Sequence, residues 1–158
     1  MNKDDTELWI VWDLDDTLVD LSFRKDLFEK SNKNYDVLFK PELVQFDKVN
    51  VPILTLKQHL NNLQGIKHLI LSARPVTMFE ATAEWLLKNN IGYDEIILKG
   101  NDQKSRYLYT PQWKMDRILG VTVDQPTNVV LAVDDNDEVL RLYKQHGISA
   151  LDAKLFTN

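Results

Sequence analysis

Short runs of β-forming apolar residues alternate along this chain with stretches whose apolar positions recur at helical spacing. Leu8 to Trp12 is a compact apolar run that reads as a buried strand. Pro52 opens a helix with Ile53, Leu56, Leu60 and Leu63 on one face, and Gly65 stops it. Lys67 to Leu71 is a second strand, ending at Ser72-Ala73-Arg74-Pro75. The next helix carries Val76, Phe79, Ala83, Leu86 and Leu87 on its apolar face and ends by Gly92. Glu95 to Leu98 gives a third strand, and Lys114-Met115-Asp116-Arg117-Ile118 starts another helical segment. Asn128 to Val133 is a fourth strand, ending in Asp134-Asp135. Val139, Leu142, Tyr143 and His146 mark a last helical stripe closed by Gly147, and Ile148 to Leu151 a last strand.

Strands alternating with helices predict an α/β fold: a doubly wound, Rossmann-like parallel sheet with helices on both faces. At 158 residues the chain is expected to form one domain over residues 1–158, with a full hydrophobic core. Residues 18–50 are mixed and charge-balanced, without a long period, and are expected to form a small flap rather than a large cap. No repeat, linker or low-complexity segment interrupts the pattern.

In such sheets the site lies outside the carboxyl ends of the strands. Asp13 and Asp15 follow the first strand, and side chains at i and i+2 of an extended segment leave on the same side. Two acids there are costly unless a cation sits between them or one is protonated. Both outcomes suit phosphoryl chemistry. Asp-Asp-Thr by itself is equally compatible with a capped turn. The second strand, however, ends in Ser72 and the fourth in Asp134 and Asp135, all on the same edge of the sheet.

Composition narrows the chemistry. There is no cysteine, which excludes disulfides, zinc–thiolate sites and a thiol nucleophile. Hydrophobic and charged contents of 44% and 27% are those of an ordinary globular protein. The N-terminal residues have no signal-peptide layout and no apolar run approaches membrane length, so a cytoplasmic location away from membranes is expected. The net charge of −5 argues against a sequence-independent nucleic-acid coat. Between Lys99 and Arg117, however, five basic residues face two acids, so that stretch is +3 and the remainder −8. A local basic rim on an acidic body suits capture of one phosphate.

These residues together resemble the motifs of the haloacid dehalogenase-like hydrolase superfamily. The four motifs match as Asp13-Leu14-Asp15-Asp16-Thr17, Ser72, Lys114 and Asp134-Asp135, in order and over nearly the whole chain. The resemblance implies that Asp13 is the nucleophile forming an aspartyl-phosphate. It implies that Asp15 protonates the leaving oxygen and then deprotonates water. Mg²⁺ is the implied cofactor, held chiefly by Asp13 and Asp135 with the backbone carbonyl of Asp15, and Asp15 and Asp134 are further candidate ligands. Ser72 and Lys114 are implied to hold the phosphoryl oxygens. Lys99 and Lys104 are rivals to Lys114, which the resemblance favours because a lysine opening a helix before the fourth strand is the superfamily pattern. An acid at position 15 separates phosphatases from dehalogenases, since halide needs no proton. Asp16 stands where many relatives have glycine.

Within the superfamily, the chain resembles the 3′-phosphatase domain of phage-type polynucleotide kinase/phosphatase. The residues concerned are Ser72-Ala73-Arg74, Trp85, Ile91-Gly92-Tyr93-Asp94, Lys114 to Ile118 and Asp134-Asp135-Asn136, with Asp47, Asn50 and Pro52 ahead of the first helix. It departs at Ala73, usually glycine, and Asn136, usually arginine. No Gly-x-x-x-x-Gly-Lys-Ser/Thr run is present in these residues, so a kinase half is not expected among them. The same motifs resemble the 5′(3′)-deoxyribonucleotidases.

The expected function is therefore a Mg²⁺-dependent phosphomonoesterase acting on a phosphorylated nucleic-acid 3′ end or a nucleotide. The alternatives are a deoxyribonucleotidase or other small-molecule phosphatase, and a catalytically silent binding module. Candidate substrate contacts are Thr17, Arg24, Arg74 and Arg106, with solvated surface charge the competing reading for Arg24 and Arg74. Tyr107, Tyr109 and Trp113 are candidates to stack on a base, against a simpler packing role. His59, His68 and His146 have no ligand spacing, and Trp9 and Trp12 are expected to pack the sheet. No protein partner is inferable.

Overall fold

A computed structural model describes residues 6–100 and 109–156. Its centre is a five-stranded, wholly parallel sheet made of β1 (Leu8–Trp12), β4 (Ile66–Pro75), β5 (Glu95–Lys99), β6 (Val129–Asp134) and β7 (Ala150–Asp152). The strand order is β5-β4-β1-β6-β7, so β1 pairs with both β4 and β6 and is covered on both edges. The chain runs outward from β1 through β4 to β5 and then crosses back to β6 and β7 on the other side, which puts β1 at the topological switch.

The two faces of the sheet are built by period-two alternation along β1. Ile10 and Trp12 point to one core with α2 (Val51–Leu60) and α3 (Phe79–Lys88), through Ile53, Trp85 and Leu86 and through Met78 just ahead of α3. Trp9 and Val11 point to the other, with α4 (Thr110–Val121) and α5 (Asp137–Gln145), through Trp113, Met115, Ile118, Val139 and Tyr143. The expected doubly wound architecture is the one observed, and Trp9 and Trp12 pack opposite faces. Trp12 donates its indole N–H to His68 Nδ1 at 2.9 Å, with the two ring planes within 8° of each other. His68 is thus a packing residue.

Several expected boundaries are corrected. The second strand does not stop at Leu71: β4 runs ten residues to Pro75, with a register shift against β5 between Ser72 and Pro75. Ser72 and Arg74 are therefore strand residues, and the irregularity lets Pro75, which has no N–H, sit in the ladder. The apolar face expected for α3 is also redrawn. Val76, Phe79 and Leu87 are exposed, Leu87 to 80%, and the buried stripe is Met78, Thr82, Trp85 and Leu86. Thr82 fits inside because its hydroxyl accepts from Arg74 Nη1 at 2.9 Å. Leu63 likewise lies beyond α2 and is exposed. Gly65 adopts φ +75°, the left-handed conformation glycine supplies after a helix.

Residues 18–50 hold β2 (Val19–Asp20), α1 (Ser22–Lys30), two 3₁₀ turns (Tyr35–Phe39 and Pro41–Phe46) and β3 (Lys48–Val49). Strands β2 and β3 form a two-stranded antiparallel ribbon at the base of this insert. Asn50 closes it, its side chain donating to Thr17 O at 2.9 Å and its N–H to Leu18 O at 2.9 Å. No helix among the described residues is long and apolar enough to cross a membrane.

Candidate functional site

The carboxyl ends of β1, β4 and β6 converge with the first turns of α4 on one cleft of about 760 Å³. It is lined by Asp13, Asp15, Ser72, Arg74, Lys99, Lys114, Asp134 and Asp135, with Tyr35 and Phe39 from the insert. That volume falls within the roughly 300–1,000 Å³ of small-molecule sites.

Asp13 continues β1, its N–H donating to Val133 O at 3.0 Å. The chain then turns tightly, with Thr17 N and Val19 N both donating to Leu14 O. The turn needs a left-handed residue, and Asp16 occupies it at φ +60°. Aspartate tolerates that region better than most residues with a Cβ, so this turn is made without glycine. Lys25 pairs with the Asp16 carboxylate.

Lys114 holds the centre together. Its buried ammonium donates to Asp13 Oδ1 at 2.8 Å and to Asp134 Oδ2 at 2.6 Å. Pro111 lies in the first turn of α4, and the helix presents Lys114 from its buried side. Thr17 Oγ1 donates to the other oxygen, Asp13 Oδ2, at 2.9 Å. Thr17 is fully buried, so it positions the Asp13 carboxylate and does not face the cleft. Asp134 Oδ1 accepts from Asn136 N at 3.0 Å, and the Asn136 side chain caps α5 by accepting from Glu138 N and Val139 N. Asp135 is thereby fixed between strand end and helix start.

One carboxylate oxygen from each of Asp13, Asp134 and Asp135 lies within 4.8 Å of the others. Burial, and then repulsion from Asp134, pushes the Asp13 carboxyl well above its usual range, against the pull of Lys114. The same two causes raise Asp135. Burial disfavours the Lys114 ammonium, but Asp13 and Asp134 outweigh it and keep the lysine charged. With all carboxylates ionised, three negative charges face one positive charge, a residual of −2. A hard divalent cation taking oxygen ligands fits that donor set and that charge.

Asp15 has different partners. Its carboxylate faces two guanidiniums, Arg74 Nη2 at 2.6 Å and Arg24 Nη2 at 2.9 Å. It is not a member of the three-carboxylate cluster, so a metal-ligating role for its side chain is not what the structure presents. Burial would raise its pKa, but Arg74 and then Arg24 outweigh burial and hold it below the usual range. Both arginines also grip Asp47, Arg24 bidentately at 2.9 and 2.7 Å and Arg74 at 3.2 Å.

Arg24 and Arg74 are each 1% exposed, which overturns the surface-charge reading of both. Arg74 lines the cleft, whereas Arg24 lies behind it. Asp47 is the member of this network that sequence reasoning did not place in the site. Its signal was only a matching position ahead of the first helix. Burial raises Asp47 despite Arg24 and Arg74, and Trp85 Nε1 donates to its backbone carbonyl at 2.9 Å.

Of the other expected residues, Ser72 lines the cleft and its Oγ accepts from Arg74 N at 3.2 Å. Lys99 reaches Thr110 Oγ1 at 3.4 Å and the Trp113 ring at 5.9 Å, so it is Lys114 that meets Asp13. Trp113 is core, and Tyr109 is exposed. Lys104, Arg106 and Tyr107 lie outside the described residues.

No protein-family profile matches the chain, and no curated protein matches it in sequence. Solved structures do share the fold. Two are chains of the Pnkp1/Rnl/Hen1 RNA repair complex, at TM-score 0.73 and 19% and 20% identity. They cover 96% and 97% of this chain, which spans only 44% and 47% of theirs. A haloacid dehalogenase-like family hydrolase from Streptococcus pneumoniae superposes at TM-score 0.63 and 14% identity, over 93% of this chain and 84% of its own. The fold is that of haloacid dehalogenase-like hydrolases.

Proposed function

We propose that this protein is a Mg²⁺-dependent phosphomonoesterase that forms an aspartyl-phosphate on Asp13 and acts on the phosphate of a nucleic-acid 3′ end or a nucleotide. The observation that carries this reading is the cluster of buried Asp13 and Asp134, both bonded to Lys114, with half-buried Asp135, three carboxyl groups against one ammonium at the open carboxyl edge of the sheet.

Lys114 and Thr17 hold both oxygens of Asp13, so its carboxylate is oriented before any ester arrives. An oxygen of Asp13 attacks phosphorus as the bond to the leaving oxygen breaks, and the leaving oxygen takes a proton. Water then cleaves the acyl-phosphate, returning Asp13 and releasing inorganic phosphate. Asp15 lines the same cleft and is the group placed to handle both protons. It is anionic while both arginines grip it. Its turn as proton donor therefore requires Arg74, which lines the cleft, to lean toward the phosphate and Asp15 to take a proton from solvent, which the attacking water returns to it in the second step. Ser72 and Lys114 hold phosphoryl oxygens as they gain charge. Asp13, Asp134 and Asp135, with the backbone carbonyl of Asp15, would hold Mg²⁺, which would supply neutralisation of phosphoryl charge.

The nucleic-acid end is supported by the RNA-repair complex among the structural neighbours and by the basic stretch from Lys99 to Arg117, whose Lys99 and Lys114 line the cleft. Steady-state kinetics across a salt series test it, comparing a 3′-phosphorylated DNA end with a free nucleotide. The DNA end should be hydrolysed more efficiently at low ionic strength and lose that advantage as salt rises. Preference for the mononucleotide at every salt concentration would replace the polynucleotide reading with the nucleotidase one.

A further inference from the structure

The insert leaves two large aromatic side chains uncovered at the mouth of the cleft. Tyr35 is 67% and Phe39 47% exposed, and both line the cavity whose floor holds Asp13 and Lys114. A single exposed aromatic is ordinary. Two at the ends of one 3₁₀ turn, Tyr35–Phe39, both turned to the same charged cavity, form an arrangement with a direction.

That turn is held at both ends. Asn34 Oδ1 accepts from Asp36 N at 3.0 Å, which fixes its start. The Tyr35 ring rests against Phe28 of α1, with centroids 4.9 Å apart and planes at 57°. Near the other end, Arg24 Nη1 donates to Leu38 O at 2.6 Å. The same guanidinium donates through Nη2 to Asp15 Oδ1 at 2.9 Å. One buried side chain therefore ties the aromatic turn to a carboxylate of the reaction centre.

We propose that Tyr35 and Phe39 are specificity-determining residues that seat the nucleobase of the terminal nucleotide, so that the leaving group is a nucleoside and not a bare sugar or polyol. The proposal rests on the phosphatase reading above and names the class of ester that site takes. The cleft has a charged floor and an aromatic rim, and a nucleotide has the matching polarity, a phosphate dianion at one end and a planar π face at the other. Stacking tolerates any base, because every base has that face. Asp36 lines the rim between the two rings. Its carboxylate repels a second phosphate there and leaves the rim to the uncharged base.

The test uses the full chain and two esters, a nucleoside 3′-monophosphate and the base-free methyl deoxyriboside 3-phosphate. In Tyr35→Ala and Phe39→Ala the ratio of kcat/KM for the nucleotide to that for the base-free ester should fall roughly tenfold each, through KM. Tyr35→Phe and Phe39→Tyr should restore it. Circular dichroism checks that each variant folds. A ratio unchanged in both alanine variants, or equal losses on both esters, overturns the proposal. If the wild type hydrolyses neither ester, the phosphatase reading falls. The proposal is then decided by the two dissociation constants: tighter nucleotide binding that the alanine variants abolish supports it, and equal affinities overturn it.

Discussion

Lys114 Nζ stands 2.8 Å from Asp13 Oδ1, although 101 residues separate the two in the chain. This contact joins the end of the first strand to a helix from the far side of the fold, and it sets the charge state of the centre.

Asp13→Asn should lower phosphate release by about 10³-fold or more, because an amide cannot serve as the anionic nucleophile. The fold should survive, since Lys114 keeps Asp134 as a partner. Hydrolysis of an aryl phosphate, read beside the melting temperature, checks both halves. An asparagine variant at wild-type rate would falsify the covalent mechanism.

Removal of Mg²⁺ by a chelator should abolish activity, and added Mg²⁺ should raise the melting temperature. A ligand at a hundred times its Kd stabilises by about 2.7 kcal/mol. The effect follows from the residual −2 charge of the cluster. Asp135→Ala should shrink the Mg²⁺-dependent rise, and calorimetry with and without the ion measures it. An equal rise in both proteins would place the ion elsewhere.

Asp47→Ala should cost roughly 3–5 kcal/mol of stability, since it leaves two buried guanidiniums sharing the single carboxylate of Asp15. Denaturant unfolding gives the value. A loss below about 1 kcal/mol would mean that the arginines find other acceptors at no cost.

Stability should rise with pH in two windows. Burial, and then the neighbouring Lys57 charge, lowers the His68 pKa from 6.5, and burial lowers Lys57 from 10.5 to about 8. A base with a depressed folded pKa binds fewer protons folded than unfolded between the two values, so stability increases with pH there. For His68 that window lies just below pH 6.5, and stability is lost as pH falls through it. For Lys57 it runs from about pH 8 to 10.5. Lys57, whose Nζ lies 5.8 Å from the Trp12 ring centroid, donates to Gly92 O at 2.6 Å. Lys57→Met should flatten the upper window, by on the order of 1–3 kcal/mol between its ends. Unfolding midpoints for the two proteins from pH 7.5 to 10.5 provide the comparison, and parallel curves would remove Lys57 as the cause.

Much of this protein was legible from one dimension. The alternation of apolar runs and helical stripes is a local property, because burial on a sheet face has period two and burial on a helix face has period 3.6. The parallel sheet, the placement of Ile10 and Trp12 opposite Trp9 and Val11, and the gathering of Asp13, Ser72 and Asp134 at one edge all follow from it. The choice of partners did not. Asp13 and Asp15 leave β1 two residues apart and line one cleft, yet one meets a lysine from α4 and the other two arginines from α1 and β4. Which cation reaches which acid depends on how the helices cross the sheet, and periodicity carries no record of that. The same reason hid Asp47, whose role exists only where the insert folds back, and Thr82, a polar residue buried because Arg74 meets it. Sequence determined where the chemistry gathers; tertiary structure decided the pairings there, because an ion pair is a relation between distant segments and not a property of either one.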